Sequence, residues 1–287
     1  MQKLTSTRRV RELLEKHNLK PRKNWGQNFL VDENILVKIV DAAELSKDDR
    51  VLEIGPGLGV LTMSLAERAA EVIAVEIDQG LFSILEQNLA DFKNVKLVQG
   101  DVRKLDLSRL CRESWGEKDF VIVANLPYYL TTPFIFQVLK ESTVALKRAL
   151  FMVQREVAQR MVALPGSSNY GTLSILCRYY TEPEYLFNVP QNVFFPRPAV
   201  ESAVVRLVIR QPKLDVGDQS LFWELIKGVF QMRRKTVLKG LLHIFPLSRE
   251  TGEEILTRAG IPPQLRPEKL SIEQFAKLSR ILYNLRG

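Results

Sequence analysis

The stretch Val51-Leu52-Glu53-Ile54-Gly55-Pro56-Gly57-Leu58-Gly59 runs four mostly apolar residues into a glycine turn, and a helical pattern follows. This reads as strand, tight turn and helix. Gly55 and Gly57 lack a Cβ, so the backbone there can take φ > 0 and let a ligand come close, and the next helix offers free N–H groups at its start. A nucleotide-cofactor site is the expectation. A dinucleotide fingerprint places its third glycine at the sixth position, whereas Gly59 stands at the fifth and Val60 at the sixth, which argues against a nicotinamide dehydrogenase. No Lys-Ser or Lys-Thr pair follows, which excludes a P-loop.

Two further strands lie downstream. Val72-Ile73-Ala74-Val75 ends in Glu76, whose carboxylate can accept from both hydroxyls of a ribose. Val95-Lys96-Leu97-Val98 leads to Gly100-Asp101, whose carboxylate can accept from an adenine amine. Glycine turn and acids thus end successive strands on one edge of a parallel sheet. A fourth strand, Phe120-Val121-Ile122-Val123-Ala124, ends in Asn125-Leu126-Pro127-Tyr128.

Together these elements resemble an S-adenosylmethionine-dependent adenine N6-methyltransferase. The adenine amino group is a poor nucleophile, because its lone pair is delocalised into the ring. The resemblance implies that the Asn125 side-chain oxygen and the Leu126 or Pro127 carbonyl accept its two N–H bonds, while Tyr128 stacks on the base. Such a site works by orientation and hydrogen bonding, needs no metal, and requires a base swung out of its stack. Ile77 and Val102, which follow the two acids, join the implied cofactor contacts.

Trp25-Gly26-Gln27-Asn28-Phe29-Leu30 is similar to the Gly-Gln-Asn-Phe-Leu element of ribosomal RNA adenine dimethyltransferases. In that family it closes over the methyl donor, which would set Gln27, Asn28 and Leu30 against the cofactor. Asn169 to Ser174 and Phe194 to Ser202 also resemble that family. Phe194 would face the target adenine opposite Tyr128, or else fix its loop in the core. Stacking adds roughly 1–3 kcal/mol per contact. Arg233-Arg234-Lys235-Thr236, with Lys239 one turn on, resembles the family's Arg-Arg-Lys-Thr element and could meet phosphates, although isolated basic clusters are often only solvated. Lys239-Gly240 departs from the family, where Asn is frequent.

Charge is uneven along the 287 residues. The net charge is +8; residues 1–30 carry eight Lys and Arg against two Glu, and residues 213–287 thirteen against eight acids. Basic ends around a slightly acidic middle fit a polyanionic substrate held from both sides. Hydrophobic residues make up 46%, enough for a substantial core. Cys111, Cys177, His17 and His243 lie in no metal-like spacing and read as structural. The most apolar window, residues 120–139, is broken by Asn125, Pro127 and Pro133, so no membrane span is expected and a cytoplasmic protein is.

The predicted helices are residues 5–17, with Val10, Leu13 and Leu14 inward, then Ile35–Ala43, Val60–Ala70, Leu81–Leu89 and Gln154–Met161. Thr131 and Thr132 before Pro133 are expected to cap another. Strands are predicted at Ala149–Val153 and Ala203–Ile209. After linker-like Gln211–Asp218 come helices at Phe222–Phe230, Val237–Leu242, Ile255–Gly260 and Ile272–Leu285. The expected architecture is α/β: a Rossmann-like methyltransferase domain over 1–212, with 1–46 as its basic, cofactor-closing segment, and a small helical RNA-binding domain over 213–287.

The resemblance runs from Gln27 to Thr236 and is nearest to the small-subunit ribosomal RNA adenine N6,N6-dimethyltransferases. It implies dimethylation of two adjacent adenosines in the 3′-terminal hairpin loop of small-subunit (16S) ribosomal RNA, in the immature small subunit, by a monomer. A large-subunit RNA methyltransferase of the antibiotic-resistance kind would share the cofactor and catalytic residues. A DNA adenine methyltransferase would need a target-recognition domain that is not seen. An assembly or transcription factor that only binds RNA would be signalled by loss of the glycine turn or Asn125, and both are intact.

Overall fold

The computed structural model describes residues 4–22, 25–141 and 145–285. The chain forms two compact units, Met1–Ala158 with Pro183–Ile209, and Gln159–Glu182 with Arg210–Gly287.

The first unit opens with α1 (Thr7–Lys16), which buries Val10, Leu13 and Leu14 and is capped by the Ser6 hydroxyl accepting from the Arg9 N–H at 3.2 Å. Then follow β1 (Phe29–Leu30), α2 (Glu33–Ala42), β2 (Arg50–Ile54), α3 (Val60–Ala66), β3 (Glu71–Glu76), α4 (Gln79–Asn88), β4 (Val95–Gln99), α5 (Leu107–Trp115), β5 (Phe120–Asn125), α6 (Thr131–Glu141) and β6 (Leu146–Gln154). Helix α7 (Arg155–Val162) and α8 (Thr172–Tyr180) lead into β7 (Thr181–Val189), β8 (Phe194–Phe195) and β9 (Ser202–Ile209).

Seven strands make one sheet in the order β4-β3-β2-β5-β6-β9-β7, and β1 pairs with β8 separately. Strands β2 to β6 run parallel and β9 lies antiparallel to β6, so the sheet is mixed at that side. The central strands are buried along nearly their whole length, as near-continuous apolar runs covered by helices on both faces require. Strand order reverses between β2 and β5, and ligands of such sheets bind outside the carboxyl ends at that point. The glycine turn follows β2 and Asn125 closes β5, so both stand there.

The second unit holds α8 with α9 (Gln219–Gln231), α10 (Val237–Ile244), α11 (Arg249–Ala259) and α12 (Ile272–Asn284). Residues 159–182 join these helices because Tyr179 stacks on Phe222 at 5.2 Å between centroids, Tyr180 lies parallel to Trp223 at 6.2 Å, and Tyr170 meets Phe230 edge-on. A division at 212 and 213 alone leaves out that crossing. Five elements were not foreseen from the sequence, namely α5, α8, β7 and the two short strands β1 and β8. Thr131 is the first residue of α6 rather than its cap, and its hydroxyl donates to the Pro127 carbonyl at 3.2 Å. No helix among the described residues is long and apolar enough to cross a membrane.

Gly240 lets α10 approach α9 closely. A Cβ there would meet Val229 Cγ1 at 3.1 Å and Val229 Cα at 3.3 Å, the second being backbone that cannot turn away. Gly240→Val is expected to destabilise the protein by about 1–3 kcal/mol through overpacking, read as a lower urea midpoint; an unchanged midpoint would contradict this packing.

Candidate functional site

Between β2 and α3 the chain turns through Gly55, Gly57 and Gly59 at φ +69°, +63° and +87°, all in the region that side chains disfavour. A Cβ on Gly57 would also meet the Phe29 ring at 3.3 Å, so the turn is closed in from outside by β1. The Gly55 N–H donates to the Val75 carbonyl at 3.0 Å, which ties the turn to the end of β3.

Glu76 completes that connection. It is 4% exposed; one carboxylate oxygen accepts from the Gly57 N–H at 3.2 Å and the other from the Asp78 N–H at 2.9 Å. Each oxygen keeps a second lone-pair site, enough for two hydroxyl donors. Burial pushes the Glu76 carboxyl up to about 7 against the pull of these N–H groups.

Glu53, on β2, is a site residue the sequence reading passed over as part of an apolar run. It is 1% exposed and lines the same cleft, and its Oε2 has no hydrogen-bond partner among the described residues. Burial, with Glu76 nearby, raises its carboxyl to about 8. Two buried carboxyls at one strand edge favour a ligand that brings hydroxyl or ammonium donors.

Asn125 ends β5. Its Nδ2 donates to the Asn28 carbonyl at 3.3 Å, which leaves Oδ1 as the face offered to a ligand. The Pro127 carbonyl already accepts from the Leu130 N–H at 2.9 Å and from the Thr131 hydroxyl, so both its lone pairs are engaged. Of the two carbonyls considered from the sequence, Leu126 is therefore the better placed to accept a further bond.

The N-terminal arm walls the cleft. The Gln27 side chain accepts from the Arg22 N–H at 2.7 Å and donates to Asp78 at 2.8 Å, while Arg22 stacks on Trp25 at 4.5 Å. Leu30 pairs with Phe194 and Phe29 with Phe195.

Gln27, Asn28, Leu30, Gly55, Gly57, Glu76, Ile77, Asp101, Val102, Asn125 and Pro127 all line one cleft, joined by Glu53 and Tyr129. It encloses about 1020 Å³ of empty space, part of it open to solvent. Leu126, Tyr128 and Phe194 are not on its lining. Leu126 is buried; Tyr128 is half-buried, its hydroxyl 3.3 Å from Ser202 Oγ. Phe194 is 5% exposed within a core that includes Leu30, Met152 and Val204, so in this conformation it acts as a core anchor of its loop. No group of three His, Cys, Asp or Glu among the described residues could hold a metal ion.

In the helical unit, Arg233 donates to the Ser168 carbonyl at 2.6 Å and stands 3.9 Å from Glu268, so it braces the turn before α10. Arg234 and Lys235 are exposed.

A family model described as ribosomal RNA adenine dimethylase matches residues 18–284. The chain belongs to that family. It is 45% identical over 282 residues to a ribosomal RNA small subunit methyltransferase A of a Geobacillus species, covering 96% of this chain and 97% of that one. It is 44% identical over 287 residues to the protein of the same name from Bacillus mycoides, covering 98% of each. Among solved structures, a dimethyladenosine transferase from Plasmodium falciparum superposes with a TM-score of 0.74 at 28% identity, over 87% of this chain and 95% of that one. The 23S rRNA methyltransferase ErmE superposes with a TM-score of 0.68 at 27% identity, over 89% and 99%. Both superpositions cover most of this chain, whose fold is a mixed seven-stranded sheet followed by α9 to α12.

The buried Glu53 carboxyl predicts a pH dependence. In the folded dimethylase it keeps a proton that the unfolded chain, at the ordinary value of 4.5, releases, so the stability this adds is complete in acid and is lost as pH rises toward about 8. Without cofactor, Glu53→Gln is expected to lose less of its thermal midpoint than the parent between about pH 5 and pH 8.5. Equal slopes in differential scanning calorimetry would contradict the burial described.

Proposed function

We propose that the protein transfers methyl groups from S-adenosylmethionine to N6 of two adjacent adenosines in the 3′-terminal hairpin loop of small-subunit (16S) ribosomal RNA. The substrate is the immature small subunit in the cytoplasm, and the enzyme acts as a monomer. The observation that carries this reading is that Asn125 and two buried carboxyls share one cleft at the point where strand order reverses. Relatives named as small-subunit methyltransferases, 44–45% identical over nearly the full length, support the choice of subunit.

The cleft suits the cofactor. Glu53 Oε2, buried and without a partner among the described residues, matches an amino-acid ammonium, and the positive-φ glycines leave room for backbone contact. S-adenosylmethionine, when bound, supplies a methyl group made electrophilic by its sulfonium. Glu76 takes the ribose hydroxyls, Ile77 and Val102 flank the adenine, Asp101 accepts from its amine, and Gln27, Asn28 and Leu30 keep water from the donor.

On the substrate side, Asn125 Oδ1 and the Leu126 carbonyl accept the two N–H bonds of the target amine, with Pro127 fixing the turn. Both acceptors draw the nitrogen toward tetrahedral geometry, and their hydrogen bonds strengthen as positive charge develops there. Tyr128 takes one face of the flipped base. Phe194 reaches the other only if β8 shifts from its packed position. The proton leaves to water, and the monomethylated amine, with one N–H left, binds again for the second transfer. Arg234 and Lys235, with Arg233 bracing their turn, meet RNA phosphates.

Asn125→Ala is expected to lower methyl transfer by about 100-fold or more while leaving the cofactor Kd within a few-fold. Glu76→Ala is expected to raise that Kd by about tenfold or more, since hydrogen bonds to a charged group are lost. Isothermal titration with S-adenosylhomocysteine and single-turnover transfer read the two effects. Wild-type transfer by Asn125→Ala would sink the mechanism.

A further inference from the structure

Arg103 lies in the loop between β4 and α5, two residues beyond Asp101, and is bound to it at three points. Its backbone N–H donates to Asp101 Oδ1 at 3.0 Å, its Nε to the same oxygen at 3.0 Å, and its Nη2 to Oδ2 at 2.7 Å. The guanidinium also stands 5.7 Å from the centroid of the Tyr129 ring, another wall of the cleft. Val102, between the two, is buried on the cleft lining, and its carbonyl accepts from Gln137 at 3.4 Å. One guanidinium therefore holds both a carboxylate and an aromatic ring at the same end of the cleft.

The geometry matters for what Asp101 can read. A carboxylate offers about four lone-pair sites, and the three N–H groups of Arg103 occupy three of them, leaving one on Oδ2. With its plane fixed by the planar fork, that oxygen accepts a single donor from one direction. Lysine, a point charge without a fork, could not set the plane in this way.

We propose that Arg103 is a positioning residue that fixes Asp101 and Tyr129 so that the cleft selects a cofactor base bearing an exocyclic amine. The proposal rests on the reading of Asp101 as the acceptor for the adenine amine. Arg103 itself touches no reacting atom, so its loss affects recognition of the base and leaves the chemical step alone.

The test compares S-adenosylhomocysteine with its purine-riboside analogue, which carries hydrogen in place of the 6-amino group, by isothermal titration against the full-length protein. The parent is expected to prefer the amine-bearing ligand by about tenfold or more, the loss expected for one hydrogen bond to a charged acceptor. In Arg103→Ala that preference is expected to fall within about twofold, chiefly through weaker binding of S-adenosylhomocysteine, while kcat at saturating cofactor stays within about twofold. Arg103→Lys restores only part of the preference. Arg103→Ala binding S-adenosylhomocysteine as tightly as the parent, with preference intact, would overturn the proposal, and tighter binding would show that Arg103 occludes Asp101 instead. Asp101→Asn separates the two levels: should it keep the full parental preference, the assignment of Asp101 to the adenine amine fails, whatever Arg103 does.

Discussion

Burying the carboxyl groups of Glu53 and Glu76, neither in an ion pair among the described residues, costs folding free energy, since desolvation disfavours their ionised forms. The sheet accommodates both at the carboxyl ends of neighbouring strands, where Glu53 pairs in register with Ala74 and Val123. Glu76 recovers part of that cost through the Gly57 and Asp78 N–H groups, and in doing so sets the shape of the glycine turn. Glu53 recovers less, because Oε2 has no hydrogen-bond partner among the described residues. Under the proposed function, a ligand carrying donors returns that desolvation cost as binding energy.

The N-terminal arm is the second organising element. Within a few residues it reaches Asp78 through Gln27, Asn125 through the Asn28 carbonyl, and β8 through Phe29 and Leu30. The polarity of the Asn125 amide, with Nδ2 turned to the arm and Oδ1 turned away, is thus set by residues almost one hundred positions earlier in the chain. The side chain proposed to accept the target amine thus sits on a rigid strand end and is oriented by a second contact, which the proposed base-free transfer requires.

Much of this was legible in the sequence, because the relevant chemistry uses residues that stand out. A glycine turn after an apolar run, and acids or an asparagine where such runs stop, mark strand ends and ligand contacts together. Glu53 was not legible, because one acid inside a strand pattern is revealed only by burial on both sheet faces. Arg103 depends on a side-chain direction in a loop, which periodicity does not encode. The assignment of 159–182 to the helical unit rests on Tyr179 and Tyr180 meeting Phe222 and Trp223 some forty residues on. By sequence Phe194 could either face the base or anchor its loop, and it is packed in the core, a choice that tertiary contacts make and local sequence does not. Helix α5 does carry a readable signal in Leu107, Cys111 and Trp115, four apart behind the Asp106 cap.

The central claim is that this cleft methylates N6 of small-subunit RNA twice. The most direct measurement is transfer from radiolabelled S-adenosylmethionine to purified small and large ribosomal subunits lacking adenine methylation, followed by nucleoside analysis of the RNA. The account predicts N6,N6-dimethyladenosine in the small subunit alone. Label confined to large-subunit RNA, or no label on either, would contradict it.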